Sequence, residues 1–259
     1  IIILPAFGMI SEMIPTFARK PLFGYPVMVL ASILIAFMGF AVWTHHMFTT
    51  GLGPVVNTAF SLTSFIIGIP TGVKIFNWLG TLWGGSIRFT VSTLYCIAFL
   101  VTFTLGGITG IMVAMPTFDA QAHDTYFVVA HFHYVMGGGA LLTFLGAVYY
   151  WFPKMTGKML NEAVGKWAFA FVAVGFHMIF FPQHVAGLLG MPRRIQTYPA
   201  GIGLEIWNFM STFGTFIMAV GLILGLGSVI YGLRKGRPAG NDPWDARTLE
   251  WATTSPPPY

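Results

Sequence analysis

Long apolar runs recur along this chain, and they restrict its possible folds more than any other feature of the sequence. A helix needs about 20 apolar residues to cross the hydrocarbon core of a bilayer, and runs of this length are typical of helices rather than of barrel strands. We therefore predict an all-α, polytopic transmembrane helix bundle with six full spans plus the end of a preceding one. The full spans are predicted at about 26–42, 54–82, 89–113, 126–151, 164–189 and 202–233, after a segment that ends near 14–15.

The composition supports a membrane location. Charged residues make up 8% of the chain and hydrophobic residues 56%, whereas soluble domains carry about 25% charged residues. The net charge of +5 is small and scattered, which argues against a nucleic-acid partner. We divide the chain into a membrane bundle, residues 1–233, and a polar cytoplasmic tail, residues 234–259. Because the chain starts at Ile1 within an apolar run, we expect it to be part of a longer protein.

The loop charges predict which side each loop faces. One alternating set of loops carries nine lysines and arginines, and the other carries only Arg193 and Arg194. The positive-inside rule places the first set in the cytoplasm. The outer side then holds Asp119, His123 and Asp124. The basic set consists of Arg19, Lys20, Arg88, Lys154, Lys158, Lys166, Arg234, Lys235 and Arg237.

Two histidines lie in the middle of the predicted span 126–151. Residues two apart on a regular helix differ by about 200° around the axis, so His131 and His133 are expected to leave opposite faces, with Phe132 between them. One metal cannot be held by both, but two separate groups can. Axial ligation of two haems fits this geometry. The alternative is a pair of buried histidines that hydrogen-bond to neighbouring helices.

A second histidine pair, His45 and His46, stands at the outer end of the span 26–42. Near a helix end the backbone can turn both imidazoles toward one ion, and neutral imidazole suits copper, zinc and iron. The alternative is two interfacial histidines that hydrogen-bond to the backbone or to water.

Two polar clusters mark the outer side. Arg193 and Arg194 form its only basic pair, and their guanidinium groups suit an anion such as haem propionates. Lipid phosphate or acidic residues of another subunit are the alternatives. His123 and Asp124, with Asp119, offer ligands for magnesium or manganese. The alternative for Asp124 is an ordinary helix N-terminal cap.

Lys74 is the only charged residue inside the predicted span 54–82. It lies about 12 Å from the cytoplasmic end of that span, and Thr71 is on the same helix face. A buried lysine readily loses its proton, so together with nearby hydroxyls it predicts a proton-conducting path. The alternative is a lysine whose stem packs while its amine snorkels to the interface. The remaining polar residues in or near the spans, interpreted as structural or left unassigned, are Glu12, His177, His184 and Glu205.

Together these stretches resemble subunit I of the haem–copper oxidases, and in particular of the aa3-type cytochrome c oxidases. The resemblance covers essentially the whole chain, and its motifs occur in the order that the family has. The matching stretches are Trp-Thr-His-His-Met-Phe at 43–48, Ile-Pro-Thr-Gly-Val-Lys-Ile-Phe-Asn-Trp at 69–78, His-Asp-Thr-Tyr-Phe-Val-Val-Ala-His-Phe-His-Tyr at 123–134, Gly-Met-Pro-Arg-Arg at 190–194, Thr-Leu-Glu-Trp at 248–251 and Ser-Pro-Pro-Pro-Tyr at 255–259.

The resemblance implies specific roles for the histidines. His45 and His46 would be two ligands of the copper beside the oxygen site. His131 would be the proximal ligand of the high-spin haem and His133 one axial ligand of the low-spin haem, both of them haem A. Phe132 would lie between the haems.

The resemblance also implies roles at the outer side. Arg193 and Arg194 would hold haem propionates. His123 and Asp124 would bind magnesium where subunit II is attached.

The resemblance further implies the activity and its partners. Dioxygen would be reduced to water with electrons from cytochrome c, coupled to proton pumping, and Thr71 and Lys74 would belong to the K proton channel. Expected partners are the N-terminal half of subunit I, a subunit II that carries copper A, subunit III and membrane lipid. The expected location is a bacterial inner membrane, with a mitochondrial one as the alternative.

Some family features are not found in this chain. The third copper histidine, the cross-linked tyrosine and the second ligand of the low-spin haem have no counterpart here, so the chain supplies only part of each centre. A quinol oxidase is the rival within the family, and nitric-oxide reductase fits the Lys74 motif less well. A membrane transporter without haem is the rival from another class.

Overall fold

The computed structural model describes residues 2–258. Ile1, the first residue of the predicted bundle, and Tyr259, the last residue of the predicted tail, lie outside the described residues. Within that part, six helical segments are long and apolar enough to cross a membrane. A shorter apolar helix, α1 (Ile3–Ala18), precedes them. The predicted all-α polytopic bundle is therefore confirmed. The six segments are Tyr25–Met47, Pro54–Leu82, Val91–Val113, Tyr126–Thr156, Glu162–Leu188 and Glu205–Lys235.

The first full span does not stay a regular helix to its end. Helix α2 (Tyr25–Met38) passes into two tight 3₁₀ turns, Gly39–Ala41 and Trp43–Met47. A 3₁₀ turn has about three residues per turn and a longer rise than an α-helix. His45 and His46 therefore lie on tightly wound backbone, as expected for side chains that converge near a helix end.

The next span is broken, whereas the sequence predicted it as continuous. Helix α3 (Pro54–Ile66) and helix α4 (Gly68–Leu82) meet at Ile67. Pro70 explains the break, because proline has no N–H to donate to the carbonyl four residues earlier and its ring crowds that carbonyl. The carbonyl in question belongs to Ile66, the last residue of α3.

Helix α5 (Val91–Val113) leads through a short helix, α6 (Pro116–Ala122), into the span that carries the central histidines. That span is α7 (Tyr126–Phe132), then a π-helical stretch, His133–Leu141, then α8 (Leu142–Thr156). The prediction of one regular helix is wrong here, because the helix widens immediately after Phe132.

The widened stretch contains three consecutive glycines. Close packing against α5 explains the need for a small residue at Gly138. A Cβ atom on Gly138 would lie 2.7 Å from the hydroxyl oxygen of Thr102 on α5. The Thr102 hydroxyl donates to the Ala98 carbonyl of its own helix at 2.8 Å, and the Gly138 carbonyl lies 3.2 Å from the same oxygen. Only glycine therefore leaves room for the widened stretch to pack this closely against α5.

Two long helices, α9 (Glu162–Leu188) and α10 (Glu205–Lys235), pack side by side. Glycines allow their backbones to approach closely, as is common in membrane bundles. A Cβ on Gly175 would lie 2.5 Å from the Met218 amide nitrogen, and one on Gly221 would lie 2.7 Å from that of Val172. This pair forms one wall of the bundle.

The segment after α10 packs back onto the bundle. The indole N–H of Trp244 donates to the Tyr150 carbonyl at 2.8 Å, and Trp251 is only 3% exposed. Both tryptophans belong to the largest buried cluster. The amine of Lys154, itself 5% exposed, donates to the carbonyls of Thr253 at 2.8 Å and Thr254 at 3.2 Å. The predicted polar tail thus covers one end of the bundle, and the helix before it ends at Lys235.

We expect Lys154→Met to loosen the terminal segment. The substitution removes a buried charged donor, and bonds of that type contribute about 1.5–3 kcal/mol each. Amide hydrogen exchange in residues 241–254 should therefore become about tenfold faster or more. Lys154→Arg is the control, because it keeps a cationic donor. Unchanged exchange in Lys154→Met would show that the buried tryptophans alone hold the segment.

Candidate functional site

The two imidazoles of the first histidine pair converge. The Nε2 atoms of His45 and His46 lie 3.0 Å apart. The Nδ1 atom of His45 lies 2.9 Å from the hydroxyl oxygen of Ser64, and that hydroxyl donates to the Phe60 carbonyl. Because the Ser64 hydrogen is already used, its oxygen accepts from the Nδ1–H of His45. The Nε2 atom of His45 therefore carries a lone pair.

This spacing fits two ligands of one metal ion. Imidazole nitrogens bind transition metals at about 2 Å, so two neighbouring ligands lie about 3 Å apart. Within residues 2–258, however, no group of three or more His, Cys, Asp or Glu residues is placed to hold a metal. The pair can supply two ligands, and further ligands must come from outside the described chain.

His131 faces α5. Its Nδ1 atom lies 3.0 Å from the Gly106 carbonyl oxygen and 3.1 Å from the Thr109 hydroxyl. A carbonyl oxygen can only accept, so Nδ1 carries the hydrogen and Nε2 carries the lone pair. A Cβ on Gly110 would lie 3.0 Å from this ring, so the small residue leaves the imidazole room. Histidines that bind metals typically donate their other N–H in this way.

His133 faces a different helix. Its ring stacks on Phe180 of α9, with the ring centres 4.1 Å apart and the planes 14° from parallel. Its Nδ1 atom donates to the Val129 carbonyl at 2.8 Å, which leaves the lone pair on Nε2. His131 contacts α5 and His133 contacts α9, so the prediction that the imidazoles leave opposite faces of one helix is confirmed. It holds because α7 remains regular through Phe132.

His131 and His45 are each held by a hydroxyl group near the place where α3 passes the end of α5. Ser61 on α3 donates to the carbonyl of Ala114, just beyond α5, at 2.8 Å. Ser64, one helical turn along α3, contacts His45. Thr109, about one turn before the end of α5, contacts His131. Two side chains of the candidate centre are thus anchored by hydroxyl groups of one helix pair.

The predicted basic pair stands beside the central histidines. The guanidinium carbon of Arg193 lies 5.6 Å from the ring centre of Phe132. Its Nη1 atom lies 3.9 Å from the Asp124 carboxylate, and its buried Nε atom has no hydrogen-bond partner within the described residues. Arg194 has a left-handed backbone, with φ at 65°, and is exposed. The unpaired N–H of Arg193 is a donor that an anionic group could bind.

The predicted magnesium residues are only partly brought together. His123 Nδ1 lies 2.9 Å from a carboxylate oxygen of Asp119, which is 3% exposed. Burial raises the pKa of Asp119, and the hydrogen bond from His123 opposes that shift. Asp124 turns toward Arg193 instead. Its interpretation as a helix cap is wrong, because Thr125 is the capping residue of α7.

Lys74 lies inside the bundle rather than at the interface, so the snorkelling alternative is wrong. The side chain is 2% exposed, and its amine donates to the Ser32 hydroxyl at 2.6 Å and to the Met28 carbonyl at 3.2 Å. Thr71 donates to the Ile67 carbonyl of its own chain segment and makes no bond with Lys74. The two predicted proton-path residues therefore lie near each other without a direct hydrogen bond.

Sequence reasoning left two histidines of α9 without a role. His177 has a structural contact, since its Nδ1 atom lies 2.7 Å from the Tyr134 hydroxyl. Both ring nitrogens of His184 are buried and have no partner within the described residues. The sequence offered only their position in an apolar helix as a signal.

The close contact between α7 and α9 gives a test of how the central histidines are held. A Cβ at Gly187 would overlap the backbone nitrogen of Phe127, so Gly187→Ala must push α9 away from α7. Overpacking of this kind costs about 1–3 kcal/mol. We expect a lower midpoint of thermal unfolding for the purified protein. Gly107→Ala is the control, because nothing lies within 4 Å of that position; equal midpoints for the two variants would contradict the packing.

The fold and the histidine arrangement define a polytopic membrane protein with two groups of histidines whose ring nitrogens could bind metals. The family model described as "Cytochrome C and Quinol oxidase polypeptide I" matches residues 1–217. The chain belongs to this family, the haem–copper oxidase subunit I family. Some of its relatives are named cytochrome c oxidase subunit 1, and others are named probable quinol oxidase subunit 1.

Three relatives and one solved structure show the extent of the similarity. Cytochrome c oxidase subunit 1 of Bacillus subtilis is 56% identical over 259 residues, which is 100% of this chain and 42% of the relative. The same subunit of Alkalihalophilus pseudofirmus is 56% identical, with 100% and 41% covered. Probable quinol oxidase subunit 1 of Staphylococcus epidermidis RP62A is 50% identical, with 100% and 40% covered. This chain thus spans about two fifths of their length.

The structural comparison agrees on the fold. A chain in a cryo-EM structure of a haem–copper terminal oxidase dimer superposes with a TM-score of 0.82 and 23% identity, covering 90% of this chain and 46% of that chain. At this identity the likeness concerns the fold alone.

Proposed function

We propose that this chain is a catalytic part of a terminal respiratory oxidase that reduces dioxygen to water with electrons from cytochrome c and couples the reaction to proton pumping. One observation carries the proposal. His131 and His133 leave opposite faces of one transmembrane helix, and each donates its Nδ1–H to a backbone carbonyl, leaving a free Nε2 lone pair. Two half-buried imidazoles prepared as ligands in this way fit two haems.

The chain's own side chains would hold and orient the cofactors. His131 would bind the iron of the high-spin haem, and His133 that of the low-spin haem, both of type A. His45 and His46 would bind the copper through their converging Nε2 atoms. When bound, these groups would supply the electron transfer and the oxygen chemistry. Phe132 would keep the two haem sites apart on one rigid helix.

The outer residues would hold the charged parts of the cofactors. Arg193 has an unpaired N–H beside Phe132 and, with Arg194, fits haem propionates. His123 and the exposed carboxylate of Asp124 would contribute to a magnesium site. Asp119 would orient His123 through its hydrogen bond to Nδ1, leaving Nε2 for the metal.

Lys74 and Thr71 would serve proton delivery. Lys74 is buried near the middle of a helix within a span, and it makes no ion pair within residues 2–258. An amine in such a site can change its protonation state readily. Its burial among polar acceptors supports a role in carrying protons.

The remaining ligands and partners would lie outside this chain. The relatives are more than twice as long, so we expect a preceding half of subunit I to complete both metal centres. A subunit II with copper A and a subunit III would complete the complex, with lipid around the exposed apolar side chains. Relatives of bacterial origin support a bacterial inner membrane as the location.

A quinol oxidase is the second candidate, because several relatives at 50% identity carry that name. Cytochrome c is favoured, since the relatives at 56% identity are named for it. The test is oxygen uptake by the purified full-length oxidase with reduced cytochrome c or with a soluble reduced quinol. Uptake with cytochrome c is expected; uptake with the quinol alone would contradict this choice. A haem-free transporter would show neither activity.

A further inference from the structure

The buried amine of Lys74 is held by two hydrogen-bond acceptors on helix α2. Its acceptor Met28 lies in the first turn of α2, whereas His45 and His46 follow the opposite, C-terminal end of that helix. Lys74 itself lies near the middle of α4. The closer acceptor, Ser32, lies one turn further along α2, near its middle, so the amine is held inside the bundle.

The partners of this amine match its neutral form. A neutral amine has two hydrogens and one lone pair, and the Ser32 hydroxyl and the Met28 carbonyl accept two hydrogens. The lone pair is then free to take a proton. After protonation the cation would lie 5.3 Å from the ring centre of Phe7 and 5.6 Å from that of Trp78. Ring faces at these distances stabilise a cation.

Ser32 fixes the geometry of this arrangement. Its hydroxyl donates to the Met28 carbonyl at 2.9 Å and accepts from Lys74 at 2.6 Å. Because its hydrogen is committed to the carbonyl, its lone pairs are available to the amine. Met28 contributes only a backbone carbonyl, so Ser32 is the side chain by which the sequence sets the position of the amine.

We propose that Ser32 is a positioning residue for proton delivery: it holds the Lys74 amine inside the bundle in the orientation in which its lone pair takes up a proton. A hydronium ion gives its proton to the amine lone pair and leaves a water molecule, and no electrons are exchanged. This inference rests on the proposed proton-carrying role of Lys74. It adds a residue on a different helix, α2, to that path.

The experiment uses the full oxidase complex and compares Ser32→Ala, Ser32→Thr and Lys74→Met. We expect Ser32→Ala to lower the rate of oxygen consumption about tenfold, equivalent to about 1.4 kcal/mol, the scale of one hydrogen bond. The solvent deuterium isotope effect on that rate should rise, because proton uptake becomes slower. Ser32→Thr restores the hydroxyl and should restore both quantities.

Thr104→Val is the matched control. Thr104 donates within its own helix at 2.6 Å and does not contact Lys74, so its loss should change neither quantity. A wild-type rate in Ser32→Ala, with Lys74→Met impaired, would overturn the positioning role and leave the proposed function intact. A slow Ser32→Ala enzyme with an unchanged isotope effect, or without rescue by threonine, would also overturn it. A wild-type rate in Lys74→Met would refute the proton role of Lys74 itself.

Discussion

His131→Ala is expected to abolish oxygen reduction while leaving the low-spin haem in place. The Nε2 atom of His131 carries a free lone pair and is the proposed ligand of the high-spin haem, and alanine offers no replacement. His133 stacks on Phe180 on the other side and should keep its own haem. The measurement is oxygen uptake together with the visible absorption spectrum of the purified complex.

Two further variants make this result specific. His133→Ala should show the reciprocal loss, in which the low-spin signal disappears. His177→Gln should keep the absorption signals of both haems, because the side chain of His177 forms a hydrogen bond only with Tyr134. An unchanged turnover rate in His131→Ala would remove the proposed ligand role.

Lys74→Met is expected to stop a large part of turnover without loss of haem. Methionine has a similar shape but no amine, so the buried stem still packs while the amine that we propose to carry protons is gone. Loss of a positioned proton-transfer group typically costs about 10²–10⁴-fold in rate. The measurement is steady-state oxygen consumption, with the haem spectrum as the check on assembly.

Lys158→Met is the matched control, since Lys158 lies outside the spans and its amine donates to the Leu233 carbonyl at the bundle's end. It should keep the wild-type rate. If Lys74→Met also kept that rate, Lys74 would be only a packing residue.

The sequence predicted the membrane spans because length and apolarity are properties of a segment by itself. It did not predict the widened stretch His133–Leu141, which packs closely against Thr102 of another helix. The break at Ile67 could have been predicted from Pro70. The covering of the bundle end by Trp244 and Trp251 was missed, because a polar segment gives no signal of what it packs against.

In the candidate site, too, some features could be predicted from the sequence and others required the structure. The opposite directions of His131 and His133 follow from helix geometry alone. The convergence of His45 and His46 required the 3₁₀ turn. The partner of Lys74 could not be predicted, because Ser32 lies 42 residues away and meets it only through the packing of α2 on α4.

The most direct test of the central claim is a density map of the full-length oxidase complex around α7. We predict one porphyrin on the α5 side with its iron bonded to His131 Nε2, and a second on the α9 side bonded to His133 Nε2. Density for lipid or protein alone beside both imidazoles would contradict the proposed oxidase function.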